Sequence, residues 1–282
     1  MGPLITNSAL AETLSAAEPR PPVVLDVRGG LGHPPAAESY QEGHLPGAVF
    51  IDLDADLAAA PGARGRHPLP EPGDLQRVLR AAGVRAGKPV VVYDHGDGSI
   101  AARAWWLLRW AGHDDVAVLD GGYAAWVADG HAVSTEVPSP EPGDLVVRPG
   151  AMPTAGADEA AALARSGVLL DARAPERYRG ETEPVDPRAG HVPGALNAPF
   201  ARHTDERGRW RSPSELARLF ADTGVPADGE VGAYCGSGVT ACSVVLALEA
   251  SGRARPAVLY PGSWSEWAAD ANRPAATGGE PG

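Results

Sequence analysis

The sequence predicts an α/β protein made of two tandem copies of one domain, each a parallel sheet with helices on both faces. Three observations predict it. The chain has 282 residues, short apolar runs alternate with helix-like stretches, and the two halves repeat the same motifs in the same order. A chain of this length exceeds one average domain of roughly 100–200 residues. Alternating strands and helices imply parallel strands joined by crossover helices.

The alternation is clearest in the middle of each half. Apolar runs at 90–93 and 116–119 predict strands, and the stretch 101–111 between them predicts a helix. In the second half, helices are predicted at 213–223 and 240–250. Binding and catalytic residues of such sheets lie at the carboxyl ends of the strands, so the residues that directly follow each strand are the first candidates for a site.

Four paired motifs reveal the duplication, since they recur in one order at nearly constant spacing. The pairs are 23–28 with 168–173, 43–48 with 190–195, 90–94 with 231–235, and 121–126 with 262–267. The segment between the copies is rich in proline and glycine, which is typical of a linker. We therefore predict an N-terminal domain over 1–136, a linker over 137–153 and a C-terminal domain over 154–282.

The composition is that of an ordinary globular protein, and it argues against some classes of binding partner. Hydrophobic residues make up 44% of the chain and charged residues 21%, and the sequence has no apolar run of the ~18 residues that a membrane span needs. The formal net charge of −12 argues against nucleic acid or an anionic membrane as a partner. The sequence also lacks a secretory signal pattern, so we expect a cytoplasmic protein with reduced thiols.

The two cysteines, Cys235 and Cys242, differ in their surroundings. Cys235 stands between an apolar run and a glycine-rich turn, in Tyr-Cys-Gly-Ser-Gly-Val-Thr-Ala at 234–241. The glycines allow successive N–H groups to point at the sulfur, and the helix that follows adds partial positive charge. Both effects favour a thiolate, so Cys235 is predicted to be a nucleophile. Cys242 lies two helical turns later, which predicts a packed residue too distant for a disulfide.

These motifs together resemble those of the two-domain rhodanese-type sulfurtransferases, and the loop 235–241 is similar to that of the 3-mercaptopyruvate sulfurtransferases. The Gly-His-x-Pro-Gly-Ala motif of both halves and Gly-Ser-Trp-Ser-Glu-Trp at 262–267 carry much of the resemblance. It implies two rhodanese-like domains, of which the C-terminal one is catalytic. Asp94 stands where Cys235 stands in the repeat. Because a carboxylate cannot carry a persulfide sulfur, we expect the N-terminal copy to be inactive and Asp94 to stabilise its turn.

The resemblance also implies a reaction. Sulfur moves from a donor to Cys235 as a persulfide and then to an acceptor, which gives double-displacement kinetics. Thiosulfate-specific members of the family carry basic residues after the cysteine, where this chain has Gly236 and Ser237. We therefore expect 3-mercaptopyruvate as the donor, with release of pyruvate, and a thiol, cyanide or thioredoxin as the acceptor. Thiosulfate:cyanide sulfur transfer and a persulfide carrier module without turnover are the alternatives.

Two groups of site residues are implied by the same resemblance. Those assigned to substrate binding are Gly236, Gly238, Val239, Thr240, Arg177 and Arg188. Arginine suits this role because its planar fork matches a carboxylate. The second group is a relay of Ser237, His67 and Asp54, the last two from the N-terminal domain. Such a relay would polarise the donor carbonyl or pass a proton to the leaving enolate.

Other chemistries fit the sequence less well. A Cys-x5-Arg phosphatase loop would need arginine at the position of Ala241, and a Gly-x-Ser-x-Gly hydrolase motif would need glycine in place of Cys235. Neither Cys-x-x-Cys nor paired-histidine spacing indicates a metal, so we expect no metal and no cofactor. His44 and His191 recur in both halves, and we expect them to serve the fold by hydrogen-bonding the Pro-Gly turns beside them.

Overall fold

Two parallel sheets form the centres of the structure, a computed structural model that describes residues 2–16, 21–30 and 35–282. The chain divides into two compact units. The first comprises Met1–Ala59, Pro70–Ala151 and Thr204–Trp210; the second comprises Ala60–Leu69, Met152–His203 and Arg211–Gly282. Each unit holds one sheet with helices packed on it, so the predicted α/β class is confirmed. Within the described ranges, no helix combines the length and apolar character needed to cross a bilayer.

The first unit contains a five-stranded sheet. Its strands are β1 Leu4–Ile5, β2 Val23–Arg28, β3 Val49–Asp52, β4 Val90–Tyr93 and β5 Val116–Leu119. They are ordered β1-β5-β4-β2-β3, and all neighbouring strands are parallel. Every residue of β2, β4 and β5 is buried. Strands β4 and β5 are unbroken apolar runs because both faces of a parallel sheet are covered, whereas β2 also carries Asp26 and Arg28.

Local signals explain where the helices of the first unit begin. These helices are α1 Asn7–Ser15, α2 Ala36–Glu42, α3 Leu53–Asp56, α4 Pro72–Ala81, α5 Ala101–Trp110 and α6 Gly122–Ala128. The Thr6 hydroxyl caps α1 by accepting the Ala9 N–H, and Pro72 opens α4, where its missing N–H costs nothing. Helix α5 is buried on nearly all sides, which explains its run of tryptophan, leucine and alanine.

The second unit repeats this plan with a four-stranded sheet. Its strands are β6 Val168–Asp171, β7 Leu196–Asn197, β8 Val231–Tyr234 and β9 Val258–Leu259, and its helices are α7 Ala157–Ser166, α8 Pro175–Tyr178, α9 Pro213–Asp222, α10 Ala241–Ala250 and α11 Ser263–Ala269. The parallel order is β7-β6-β8-β9. Ser212 and Glu215 form a capping box that starts α9. Helix α10 is buried over its first eight residues and packs on β8 and β9.

The repeated Asp-x-Arg motif is a buried ion pair in each unit. Arg28 lies 2.7 Å from Asp26, and Arg173 lies 2.6 Å from Asp171. The arginines also donate to the backbone carbonyls of Gly43 and Gly190, each at 2.7 Å. These bonds fasten the loop that follows the second helix of each unit, α2 or α8, to strand β2 or β6, which explains why the motif occurs in both halves.

The recurring histidines serve the fold, although not through the turns expected from the sequence. His44 Nδ1 lies 2.9 Å from the Tyr40 carbonyl, and His191 Nδ1 lies 2.7 Å from the Tyr178 carbonyl. Each ring also stacks on the same tyrosine. The histidines therefore bond to the last turn of the preceding helix, where orphan carbonyls need partners, rather than to the Pro-Gly turns.

Three segments are placed by tertiary contacts more than by local pattern. Residues 137–151 belong to the first unit. There the Gly143 N–H donates to the Arg80 carbonyl, and the Arg148 N–H donates to the Ala111 carbonyl. We call Ala60–Leu69, in the second unit, the first strap, and Thr204–Trp210, in the first unit, the second strap. The straps share the sequence Arg-Gly-Arg followed by an aromatic ring residue, at 64–67 and 207–210. They are a further repeated element of the duplication.

Candidate active site

Cys235 directly follows β8 and precedes α10, at the carboxyl edge of the second sheet. Its sulfur accepts the N–H groups of Ser237 at 3.4 Å and Gly238 at 3.1 Å. Gly238 has φ +81°, and a Cβ there would collide with the Pro261 carbonyl, so this turn requires glycine. The loop therefore presents backbone donors and a helix N-terminus to one buried sulfur, an environment that stabilises negative charge.

The N-terminal turn of α11 holds the loop from behind. The N–H groups of Trp264 and Ser265 donate to the carbonyls of Cys235 and Gly236, each at 2.9 Å. The Ser263 hydroxyl accepts the Cys235 N–H at 3.1 Å and donates to the Tyr260 carbonyl at 2.9 Å. Ser263 has φ +54°, the only positive φ among the described residues other than glycine. Backbone strain of this kind persists where surrounding contacts impose it.

The first strap brings a histidine to the loop. His67 Nδ1 lies 2.7 Å from Ser237 Oγ, and Ser237 is 9% exposed. The Arg66 N–H donates to Ser265 Oγ at 3.1 Å, which fixes the strap against α11. The predicted association of His67 with Ser237 is thus present in the structure. The two residues can share a proton, because in a neutral imidazole either ring nitrogen can accept the hydrogen bond of the Ser237 hydroxyl.

Two arginines face the open side of Gly236. A Cβ built on Gly236 would lie 3.0 Å from Arg66 Nη2 and 3.5 Å from Arg177 Nη1. Two carboxylates hold the other edges of these guanidiniums: Asp186 pairs with Arg66 and lies 3.4 Å from Arg177 Nη2, while Glu183 lies 2.6 Å from Arg177 Nη2. Burial raises the pKa of Asp186, and the charge of Arg66 opposes that rise. The two arginines, their carboxylates and Gly236 thus form a polar cluster beside Cys235.

Two predicted residues make other contacts. Arg188 Nε and Nη2 donate to backbone carbonyls at the C-terminal end of α11, and Nη1 donates to the Arg273 carbonyl beyond it, at distances of 2.8–3.0 Å. A cation there satisfies orphan carbonyls and complements the helix dipole. The guanidinium of Arg188 is therefore engaged in the fold and is not brought to the loop. Asp54 lies in α3 of the first unit, where its N–H donates to Asp52 Oδ1, and its part in the relay stays a prediction.

The remaining loop residues shape the turn. Val239 and Thr240 accept the first N–H groups of α10 through their carbonyls, from Cys242 and Ser243 respectively. Cys242 is fully buried in α10, with its sulfur 3.4 Å from the Gly238 carbonyl oxygen, as expected for a packed residue. The described ranges contain no group of three or more His, Cys, Asp or Glu side chains arranged to hold a metal ion.

Sequence reasoning missed four residues of this region: Arg66, Glu183, Asp186 and Ser263. One signal for Arg66 was available, since its Arg-Gly-Arg strap recurs at 207–209. The sequence gives no such signal for the two acidic residues, although the side chains of Asp186 and Glu183 are only 3% and 4% exposed. No local pattern distinguishes such buried acids from solvated ones, because burial depends on what the fold places above them.

The first unit shows the same loop without a cysteine. Asp94 follows β4, and its carboxylate accepts four backbone N–H groups at 2.9–3.0 Å, from Gly96, Gly98, Ile100 and Ala101. Burial raises the pKa of Asp94, and these N–H groups act against that rise. The predicted turn-stabilising role of Asp94 agrees with these bonds. A built-in carboxylate thus occupies the backbone cradle where the second unit holds a sulfur.

Known proteins resemble this chain along most of its length. The model of the rhodanese-like domain matches residues 6–129 and 156–270. A probable 3-mercaptopyruvate sulfurtransferase of Pseudomonas aeruginosa is 48% identical, over 98% of this chain and 98% of that protein. A putative thiosulfate sulfurtransferase of Mycobacterium tuberculosis, SseB, is 44% identical over 98% and 97%. The crystal structure of SseA from Escherichia coli, described among 3-mercaptopyruvate sulfotransferases, matches with TM-score 0.82 and 31% identity, over 94% of this chain and 100% of that chain.

Proposed function

This chain is a sulfurtransferase of the rhodanese-like family, and we propose that it takes sulfur from 3-mercaptopyruvate onto Cys235 and passes it to a thiol, thioredoxin or cyanide. The observation that carries the proposal is the Cys235 sulfur held by two backbone N–H groups, beside a glycine that faces two arginines. The reaction needs a reduced Cys235, so we place it in the cytoplasm. The predicted pair of rhodanese-like domains is confirmed by the family match.

The first half-reaction forms the persulfide. The Cys235 thiolate attacks the thiol sulfur of the donor, the bond between that sulfur and C3 breaks, and its electron pair passes to the enolate of pyruvate. The enolate then takes the proton of the new persulfide, which leaves pyruvate and an anionic persulfide on Cys235. The N–H groups of Ser237 and Gly238 stabilise the charge on sulfur. No external oxidant or reductant is needed.

The Ser237–His67 pair suits the leaving group. A hydroxyl held at 2.7 Å by an imidazole can hydrogen-bond the oxygen on which enolate charge develops.

In the second half-reaction the acceptor attacks the outer sulfur, the S–S bond breaks, and the Cys235 thiolate is restored. With cyanide the product is thiocyanate. Donor and acceptor react in separate steps, so initial-rate plots should show the parallel lines of double displacement.

The charge of the polar cluster favours a monocarboxylate donor over thiosulfate. Arg66 and Arg177 balance the buried acids Asp186 and Glu183, so these four groups together carry no net charge. One added carboxylate can use the free edges of the guanidiniums, while a dianion brings a second charge into a partly buried site without a further cation. The relative named as a putative thiosulfate sulfurtransferase keeps thiosulfate as the second candidate donor.

A comparison of kcat/KM for 3-mercaptopyruvate and thiosulfate, with cyanide as the acceptor, tests the proposal. We expect 3-mercaptopyruvate to exceed thiosulfate at least tenfold. A clear preference for thiosulfate would overturn the choice of donor. Formation of a persulfide without steady-state turnover of either donor would instead support a carrier module.

A further inference from the structure

We infer that Arg66, from the first strap, is the second cation that binds the donor carboxylate together with Arg177. This inference rests on the proposed function for the identity of the donor. Arg66 Nη2 and Arg177 Nη1 face the same point above Gly236. They lie 3.0 and 3.5 Å from the place where a Cβ would stand if residue 236 had a side chain. Because Gly236 directly follows Cys235, an anion bound at this point lies next to the sulfur.

The guanidiniums are held so that their inner edges stay available. Asp186 binds Arg66 through Nη1, while Glu183 and Asp186 bind Arg177 through Nη2. Neither Arg66 Nη2 nor Arg177 Nη1 donates a hydrogen bond to another described residue, and the Nε atoms of both arginines are buried without a partner. Buried donors that lack acceptors are costly, and an anion bound above Gly236 would offer acceptors to both guanidiniums.

The strap fixes Arg66 in this position. Its backbone N–H is bonded to Ser265 of α11, and the next residue, His67, is bonded to Ser237 of the loop. A cation anchored on both sides loses little freedom when it binds an anion, which favours a preorganised carboxylate site. Arg188 cannot replace it, since its donors are satisfied by the carbonyls at the end of α11.

The repeated strap supplies a matched control. Arg209 occupies the position of Arg66 in the second strap and is paired with Asp129 at 2.6 Å in the first unit. It is an arginine of the same strap motif beside a loop that has Asp94 in place of cysteine. A structural effect of removing a strap arginine should therefore be seen in Arg209→Gln, without an effect on chemistry at Cys235.

Alkylation of Cys235 tests the inference without using the sulfur donor. The second-order rates of reaction with iodoacetate, a carboxylate, and with neutral iodoacetamide are measured, and labelled peptides confirm the site. We expect the ratio of the two rates to fall about tenfold in Arg66→Gln and in Arg177→Gln, because each loses a cation beside the sulfur. Arg66→Lys should keep most of the ratio, and Arg209→Gln all of it. An unchanged ratio in Arg66→Gln, or an equal fall in Arg209→Gln, would overturn the inference.

Steady-state kinetics then connect the anion site with the donor. Arg66→Gln should raise KM for 3-mercaptopyruvate about tenfold, whereas Arg188→Gln should lower the Tm and leave KM unchanged. A raised KM in Arg188→Gln with a normal KM in Arg66→Gln would contradict the assignment. If the wild-type protein does not turn over 3-mercaptopyruvate, the proposed donor is wrong, and the alkylation ratio alone decides whether Arg66 binds an anion.

Discussion

Glycine at position 236 is explained by space. Gly236 is absent from the residues with positive φ, so its backbone conformation does not demand glycine. A Cβ would instead lie 3.0 Å from Arg66 Nη2, closer than most real contacts of a Cβ. The missing side chain leaves room for the carboxylate that we propose the two arginines bind. Gly238 differs, because its left-handed backbone conformation disfavours other residues.

Gly236→Ala should raise KM for 3-mercaptopyruvate about tenfold and leave the Tm nearly unchanged, because the methyl group takes the place of the carboxylate while Arg66 moves aside. Gly73→Ala is the control, since a Cβ there meets nothing within 4 Å. It should leave KM unchanged. A wild-type KM in Gly236→Ala would refute the spatial explanation.

His203 makes stability depend on pH. It is 2% exposed, and burial lowers its pKa to about 3. The unfolded chain binds a proton on this residue near pH 6.5, while the folded chain binds it only near pH 3. Its contribution to stability is therefore complete above pH 6.5 and is lost as the pH falls.

We predict that the free energy of unfolding falls when the pH is lowered from 7 to 5, and that this fall is on the order of 2 kcal/mol larger in the wild type than in His203→Gln. Urea titrations of both proteins at the two pH values measure it. Equal losses in the wild type and the variant would show that His203 is protonated in the folded protein.

Helix α11 positions Cys235 through its first turn. Ser263 keeps a left-handed conformation while its hydroxyl binds the N–H of Cys235. The corresponding residue of the first unit is Gly122, with φ +55°, so the backbone geometry is shared and the hydroxyl is special to the unit with the cysteine. We interpret Ser263 as a positioning residue.

Two substitutions separate strain from positioning. Ser263→Ala leaves the Cys235 N–H without its acceptor and should cost about 1–3 kcal/mol of stability. Ser263→Gly loses the same bond but relieves the backbone, so it should be about 1 kcal/mol more stable than Ser263→Ala. Both should lower kcat more than they change KM. A normal kcat in both variants would limit Ser263 to a structural role.

The reach of the sequence differs between kinds of element. Strands β4 and β5 match the predicted runs, and α5, α9 and α10 differ from their predictions by one residue at an end. These strands and helices carry apolar runs, and α9 also carries its own capping box. The straps carry neither, and a segment of one half that packs in the other unit leaves no local trace. The same reason explains why sequence reasoning missed Arg66 and why Arg188, which it assigned to the site, binds the end of α11 instead. Sequence spacing identifies arginines near the loop, but it does not show which of them will donate to the carbonyls at the end of a helix.

The loops after β4 and β8 share one backbone arrangement but hold different groups. In the first, Asp94 supplies the anion from its own side chain; in the second, the N–H groups bind the sulfur of Cys235. This division of roles was predictable, because the duplication aligns Asp94 with Cys235. It implies that the first loop is a permanent structural turn, since its cradle is already filled.

Asp94→Ala should therefore lower stability and spare the chemistry. Four backbone N–H groups would lose their acceptor, with a cost of at least ~2 kcal/mol. Scanning calorimetry should show a lower Tm, while kcat/KM for 3-mercaptopyruvate, measured well below that temperature, stays within twofold of wild type. A large loss of kcat/KM in a folded variant would assign the first loop a part in the reaction.

Intact mass after incubation with 3-mercaptopyruvate is the most direct test of sulfur transfer through Cys235. The wild-type protein and Cys242→Ser should each gain the mass of one sulfur and lose it again when cyanide is added. Cys235→Ser should gain none. A gain of sulfur by Cys235→Ser, or no gain by Cys242→Ser, would contradict a reaction centred on the loop at 235–241.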